Sequence, residues 1–191
     1  DDAWKRGASI IATTKGGKLG ERARADGASV YPITYQAEPR AALAHSLAPL
    51  LRIGARLGLC TVDSGDIRAT AEQHAALVEG ELAPEVPGER NRAKQLAQAL
   101  HGRVALTLGA EHLAPVASRF KNQLAENGKA LGGADVLPEA DHNLIVGLGT
   151  GATAAECVSL VTLESPSLYD ARVQKRFDVT TQLFAEDGIP V

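Results

Sequence analysis

The chain has 191 residues, of which 45 % are hydrophobic and 23 % charged, with a formal net charge of −3. That profile fits a soluble globular protein of one large domain, or of one domain plus part of another, and its acidic balance disfavours nucleic acid as a partner. No apolar run reaches the roughly 18 residues of a membrane span and no signal peptide is visible, so no membrane partner is expected. Cys60 and Cys157 stand far apart without a C-x-x-C pair or a disulfide framework, which fits a cytoplasmic, reducing location.

Asp1 to Arg6 reads as the end of a helix already under way, and the chain contains no methionine, so an internal piece of a longer protein is expected. The run Ala8-Ser9-Ile10-Ile11-Ala12-Thr13 predicts a buried strand. A loop with Gly16 and Gly17 follows, then a short helix to Ala25 closed by Asp26-Gly27, then a strand from Ala28 to Ile33. Strand–helix–strand at this spacing predicts a parallel sheet with a right-handed crossover.

Glu38-Pro39 starts a helix, with proline where a first turn tolerates it. Leu43, Leu47, Leu50 and Leu51 continue a helical stripe, which Pro49 is expected to kink. Ile67 to Leu82 predicts a second helix, ended by Pro84 and Pro87. No strand candidate lies between residues 36 and 88, which marks a helical connector.

From Arg90 the αβ rhythm returns. Helices are expected over Arg92 to Leu100 and Leu113 to Glu126, and strands over Arg103 to Leu108, Ala134 to Leu137 and Glu156 to Leu163. Tyr169 to Glu186 reads as a mixed strand-to-helix tail, and Gly188-Ile189-Pro190-Val191 as a strand just starting. The whole is a helix-rich α/β chain.

Three side chains stand out as chemical candidates. Glu126 lies on the polar side of its helix with Arg119 and Asn122, in the last turn, where Asn127-Gly128 supplies a C-cap. A carboxylate there meets the negative end of the helix dipole, an arrangement that gives little stability and suits a base. His142 follows a strand in the same αβ unit, and a carboxylate with an imidazole is the usual partnership in general acid–base work. Arg40 sits in a first helical turn, where a cation is poorly placed against the positive dipole end and gains by pointing at an anion. Each of these also has a plainer reading, as a solvated or locally bonded side chain.

Other motifs carry less. Gly147-Leu148-Gly149-Thr150-Gly151-Ala152 fits G-x-G-x-x-A, but too few residues separate it from the next expected strand for the full helix of a dinucleotide fold. His45, His74, His101 and His112 are scattered and offer no metal-ligand spacing, and no G-x-S-x-G elbow supports a serine triad. Lys15-Gly16-Gly17-Lys18 lacks the P-loop pattern and reads as a solvated turn.

Taken in order, Ala12-Thr13-Thr14-Lys15-Gly16-Gly17-Lys18-Leu19, Glu38-Pro39-Arg40-Ala41-Ala42-Leu43 and Asn91-Arg92-Ala93-Lys94-Gln95-Leu96-Ala97 resemble one known family. Lys121-Asn122-Gln123-Leu124-Ala125-Glu126-Asn127 and Pro138-Glu139-Ala140-Asp141-His142-Asn143 continue the likeness. The family is that of the bacterial and archaeal bifunctional phosphoglucose/phosphomannose isomerases, which carry the SIS (sugar isomerase) fold. The resemblance implies a three-layer fold, a parallel sheet flanked by helices, in a two-lobe protein. Residues 1–35 would end the first lobe, 36–88 form the connector and 89–191 hold most of the second lobe.

The resemblance also implies aldose–ketose isomerisation of glucose 6-phosphate or mannose 6-phosphate with fructose 6-phosphate, in a homodimer and without metal or cofactor. Glu126 would move the proton between C1 and C2. His142 would assist ring opening, from the partner subunit of the dimer, and Arg40 would bind substrate and steady the enediolate. A Ser/Thr-rich phosphate loop is expected just before residue 1, and a helix with a further catalytic lysine after residue 191. Asp141 stands where the family usually has Asn, Leu144 where it has an acidic residue and Ala125 where it has Asn. These departures leave a second reading open, a SIS module that senses a sugar phosphate without turning it over.

Overall fold

A computed structural model describes residues 2–149 and 152–191, the second stretch with side chains from Ala154 onward. The chain falls into two compact units, Asp1–Gly80 and Glu81–Val191. Among the described residues no helix is long and apolar enough to cross a membrane.

The first unit contains α1 (Asp2–Lys5), β1 (Ile11–Thr14), α2 (Gly17–Ala25) and β2 (Ser29–Pro32), then α3 (Leu43–Arg56) and α4 (Ser64–Glu79). β1 and β2 pair in parallel, Ile11 opposite Ser29 through Thr14 opposite Pro32. α2 is the crossover between them and buries Gly20 and Ala23. The helix expected from Glu38-Pro39 is instead a 3-10 turn over Pro39–Ala41, because Ala42, at φ −89 and ψ 12, leaves the helical path before α3 begins. Pro49 does not interrupt α3; it is buried inside the helix. α4 begins three residues before Ile67, because Asp63 and Asp66 form a capping box. The Asp63 carboxylate accepts from the backbone N–H of Asp66 at 2.9 Å, and that of Asp66 accepts from the N–H of Asp63 at 2.9 Å.

The second unit contains α5 (Arg92–Leu100), β3 (Val104–Ala110), α6 (Ala114–Gln123), β4 (Gly132–Leu137) and α7 (Ala140–Asn143), followed by α8 (Ala152–Cys157), β5 (Val158–Thr162) and α9 (Ala171–Glu186). The sheet is parallel, with β3 between β4 and β5; Ala110 pairs with Leu137 and Leu108 with Thr162.

Alternation along β3 sorts its two faces. A Cβ on Gly109 would meet the Leu113 carbonyl at 2.6 Å and the Ala117 Cβ at 3.1 Å, so Gly109, with Thr107 and Ala105, faces α6. Small residues there let the helix lie close on the sheet. Leu106, Leu108 and Ala110 face the other way, into a core shared with Leu137, Leu160, Tyr169, and Phe177 and Phe184 of α9. Burying each of those phenylalanines contributes about 1.5–3 kcal/mol. Helices thus flank the parallel sheet on both faces, as the α/β reading anticipates.

Polar clamps hold the margins. Asn91 is buried; its side chain accepts from Lys94 N–H at 3.1 Å to cap α5 and donates to the Ala83 carbonyl at 3.1 Å. Lys94 Nζ donates to the carbonyl of Val86 at 2.9 Å. Arg103 donates to the Val158 carbonyl at 2.7 Å and the Ser159 hydroxyl at 2.8 Å, tying the entry of β3 to β5.

Three further expectations are corrected. Glu156 and Cys157 close α8 rather than begin a strand, which starts only at the β-branched Val158. The tail after Tyr169 holds no strand; Asp170 caps Arg172 N–H at 2.8 Å and all of Ala171–Glu186 is helix. The end at 188–191 is not a strand, although the Pro190 carbonyl accepts from Leu160 N–H at 2.8 Å and Ile189 is buried.

Candidate active site

α6 does not end as an α-helix. Its last turn widens into a π-turn over Leu124–Gly128, and Lys129 follows in the left-handed region at φ 54. The left-handed residue that closes the helix is therefore Lys129 and not Gly128. Three contacts hold this end. Lys129 Nζ donates to the Glu126 carbonyl at 2.6 Å, Ala130 N–H donates to the Leu124 carbonyl at 3.2 Å, and the Asn127 side-chain amide donates to Gln123. The backbone around Glu126 is thus pinned, while its carboxylate is exposed and has no hydrogen bond or ion pair among the described residues. Single π-turns inside or at the end of α-helices recur at functional sites.

His142 lies in α7, one short helix after β4. Its N–H donates to the Glu139 carbonyl at 2.9 Å, and its imidazole is exposed and without a partner among the described residues. Both neighbours are anchored. The Asp141 carboxylate accepts from Arg176 Nη1 at 2.7 Å and from the buried Thr180 hydroxyl at 2.8 Å, and Asn143 donates to Glu139 at 3.3 Å. The exposed ring thus lies between two tethered neighbours.

Topology decides how Glu126 and His142 relate. Glu126 precedes β4, and His142 follows it. Six residues of strand, at about 3.3 Å each, put the two ends of β4 roughly 17 Å apart. Although both belong to one αβ unit, the fold does not bring them together within the chain.

Arg40 belongs to the other unit. It lies in the 3-10 turn Pro39–Ala41, half-buried, with Glu38 at 4.0 Å. Nearby in sequence, the rings of Tyr35 and His45 stack at 4.5 Å.

The glycine motif is placed only in part. Gly147 ends a 3-10 turn over Leu144–Gly147 and follows no strand, which removes the context of a dinucleotide fingerprint; Thr150 and Gly151 lie outside the described residues. The sequence reading passes over a groove of about 610 Å³ between α7 and α9, lined by Asp141, Ile145, Arg172, Lys175, Arg176 and Val179 among others. Its signal in the sequence is three cations in the first two turns after the Asp170 cap.

The second unit thus presents a parallel sheet between helices, with an exposed carboxylate before β4 and an exposed imidazole after it. Residues 89–191, a little over half of the chain, match the family model of the bacterial phospho-glucose isomerase C-terminal SIS domain, and the chain belongs to that family. It is 37 % identical over 187 residues to a bifunctional phosphoglucose/phosphomannose isomerase from Caldicellulosiruptor bescii, covering 95 % of this chain and 53 % of that protein. It is 25 % identical over 189 residues to a protein of the same name from Aquifex aeolicus, covering 99 % and 54 %. The chain thus spans about half the length of the curated relatives it matches. A crystal structure from Salmonella typhimurium LT2, described as a sugar binding protein, aligns at a TM-score of 0.46 and 16 % identity over 92 % of this chain and 60 % of that one. That likeness is too loose to bear on fold or function.

Proposed function

We propose that the chain is part of an aldose–ketose isomerase that interconverts glucose 6-phosphate or mannose 6-phosphate with fructose 6-phosphate. The observation that carries the reading is the Glu126 carboxylate, exposed and without a partner among the described residues, on a pinned π-turn. The names of the two relatives support the substrate class. Glu126 takes the C2 proton of the aldose as the C1 carbonyl becomes an enediolate oxygen. Transfer of the O2 hydroxyl proton to O1, with return of the abstracted proton to C1, leaves the carbonyl at C2, and the ketose is formed. Arg40 offsets the negative charge that develops on the enediolate oxygens. Either configuration at C2 collapses to the same planar enediolate, so dual specificity demands little of the protein.

The ring-opening imidazole is His142 of the partner subunit in a homodimer, a reading favoured by the strand that separates Glu126 from His142 of the same chain. The chain then comprises the end of a first SIS lobe at 1–35, a connector at 36–88 and a second lobe from 89, in a cytoplasmic protein working without metal or cofactor.

A coupled assay of fructose 6-phosphate conversion tests this on the full-length protein. Glu126→Gln is expected to lower kcat by roughly 10²–10⁴. An unchanged rate in a folded variant removes Glu126 from the mechanism. A folded wild-type protein that binds fructose 6-phosphate without turning it over is the sensor instead.

A further inference from the structure

The first two turns of α9 run Ala171-Arg172-Val173-Gln174-Lys175-Arg176, with no acidic residue, at the end of a helix where cations are electrostatically misplaced. Arg172, Lys175 and Arg176 stand at i, i+3 and i+4, a spacing at which like charges repel. Arg176 is engaged by Asp141 at 2.7 Å. Arg172 and Lys175 have no side-chain hydrogen bond or ion pair among the described residues. The acids nearest in sequence are occupied elsewhere: Asp170 caps Arg172 N–H, while Glu164 and Asp178 accept from Gln174.

These cations are exposed. All three line the groove of about 610 Å³, three cations against the single carboxylate of Asp141, and Ile145, Val179 and Leu183 supply an apolar wall. Two unneutralised cations a helical turn apart match one dianion, and guanidinium is suited to two-point contact with phosphate oxygens. The apolar wall suits the carbon body of an ester.

We infer that the groove between α7 and α9 binds a phosphomonoester dianion, held by Arg172 and Lys175, with its organic group against Ile145, Val179 and Leu183. Asp141 engages Arg176 beside the two cations, and its negative charge in the same groove opposes the dianion. Within one chain the groove and Glu126 lie at opposite ends of β4, and the α7 wall of the groove also carries His142.

The test is calorimetric titration of the full-length protein with phenyl phosphate at low ionic strength, in the presence of fructose 6-phosphate to fill a substrate site. Wild type is expected to bind one equivalent per chain. Arg172→Ala/Lys175→Ala is expected to weaken that binding roughly tenfold or more. Asp141→Asn, which removes the opposing charge, is expected to tighten it several-fold. Inorganic phosphate, without an organic group, is expected to bind more weakly than phenyl phosphate. Equal affinity and stoichiometry in wild type and the double variant overturn the site, and equal affinity for the two probes overturns the ester. If the alanine pair fails to fold, Arg172→Gln/Lys175→Gln keeps the side-chain bulk and the Asp141→Asn arm reads the opposite sign. The readout is binding, so it stands whether or not fructose 6-phosphate is turned over.

Discussion

Glu126 and His142 stand at opposite ends of β4, sixteen positions apart in sequence and separated by the full length of a parallel strand. If both serve one substrate, they come from two chains. Glu126→Gln and His142→Gln, each inactive alone, are then expected to complement when co-expressed. In a mixed dimer one site carries both lesions and the other carries neither. Statistical pairing gives about a quarter of wild-type turnover for a two-fold symmetric assembly. Steady-state rates of purified mixtures check this, and no recovery in a verified heterodimer returns both roles to one chain.

The Asp141 carboxylate joins α7 to α9 through Arg176 and Thr180, and Thr180 is only 2 % exposed. Asp141→Ala is expected to cost about 1–3 kcal/mol, because the buried hydroxyl loses its acceptor. Asp141→Asn keeps an acceptor oxygen and is expected to lose less. Urea denaturation of the two variants separates these outcomes.

Gly109 leaves room for α6. A methyl there would lie 2.6 Å from the Leu113 carbonyl, a backbone atom that cannot swing aside. Gly109→Ala is expected to destabilise the second unit by roughly 1–3 kcal/mol or more through forced displacement of α6. The midpoint of chemical denaturation should fall with little change in slope.

Tyr169 predicts an alkaline limit. Burial pushes its phenol above the ordinary value of 10.0, and Glu111 and Glu164 push the same way, against a smaller backbone effect at Ala110. Its hydroxyl lies 3.2 Å from the carbonyls of Ala110 and Leu163. Because the folded state holds the proton more tightly, this contribution is complete below pH 10.0 and is lost as pH rises through the higher folded-state value. Melting temperatures followed from neutral pH to beyond 10.0 should decline more steeply in wild type than in Tyr169→Phe.

Much of this was legible in the chain itself. Apolar runs marked the strand positions, because a parallel strand covered on both faces must be apolar along its length. Short irregular segments were not legible. The π-turn at 124–128 shares its composition with an ordinary helix end, and the helix ending at Cys157 abuts a β-branched run with no punctuation between them. Tyr169 opens a stretch that reads as a mixed strand-to-helix tail, yet it is a loop residue filling the core above Ala110. Glu126 and His142 stand out in the sequence by residue type. Their separation follows from the direction of β4, and the groove cations were overlooked because arginine and lysine on a helix usually signify no more than solubility.

The π-turn gives Glu126 an address that depends on phase as well as identity. Each residue advances a helix by about 100°, so removing one residue just before Glu126, at Ala125, would return the turn to α-helical winding and rotate the carboxylate by about that angle. Every side chain that defines the candidate site would still be present. A deletion of Ala125 should therefore abolish turnover much as loss of the carboxylate does, and a glutamate counted only by its place in an alignment would give no warning of it.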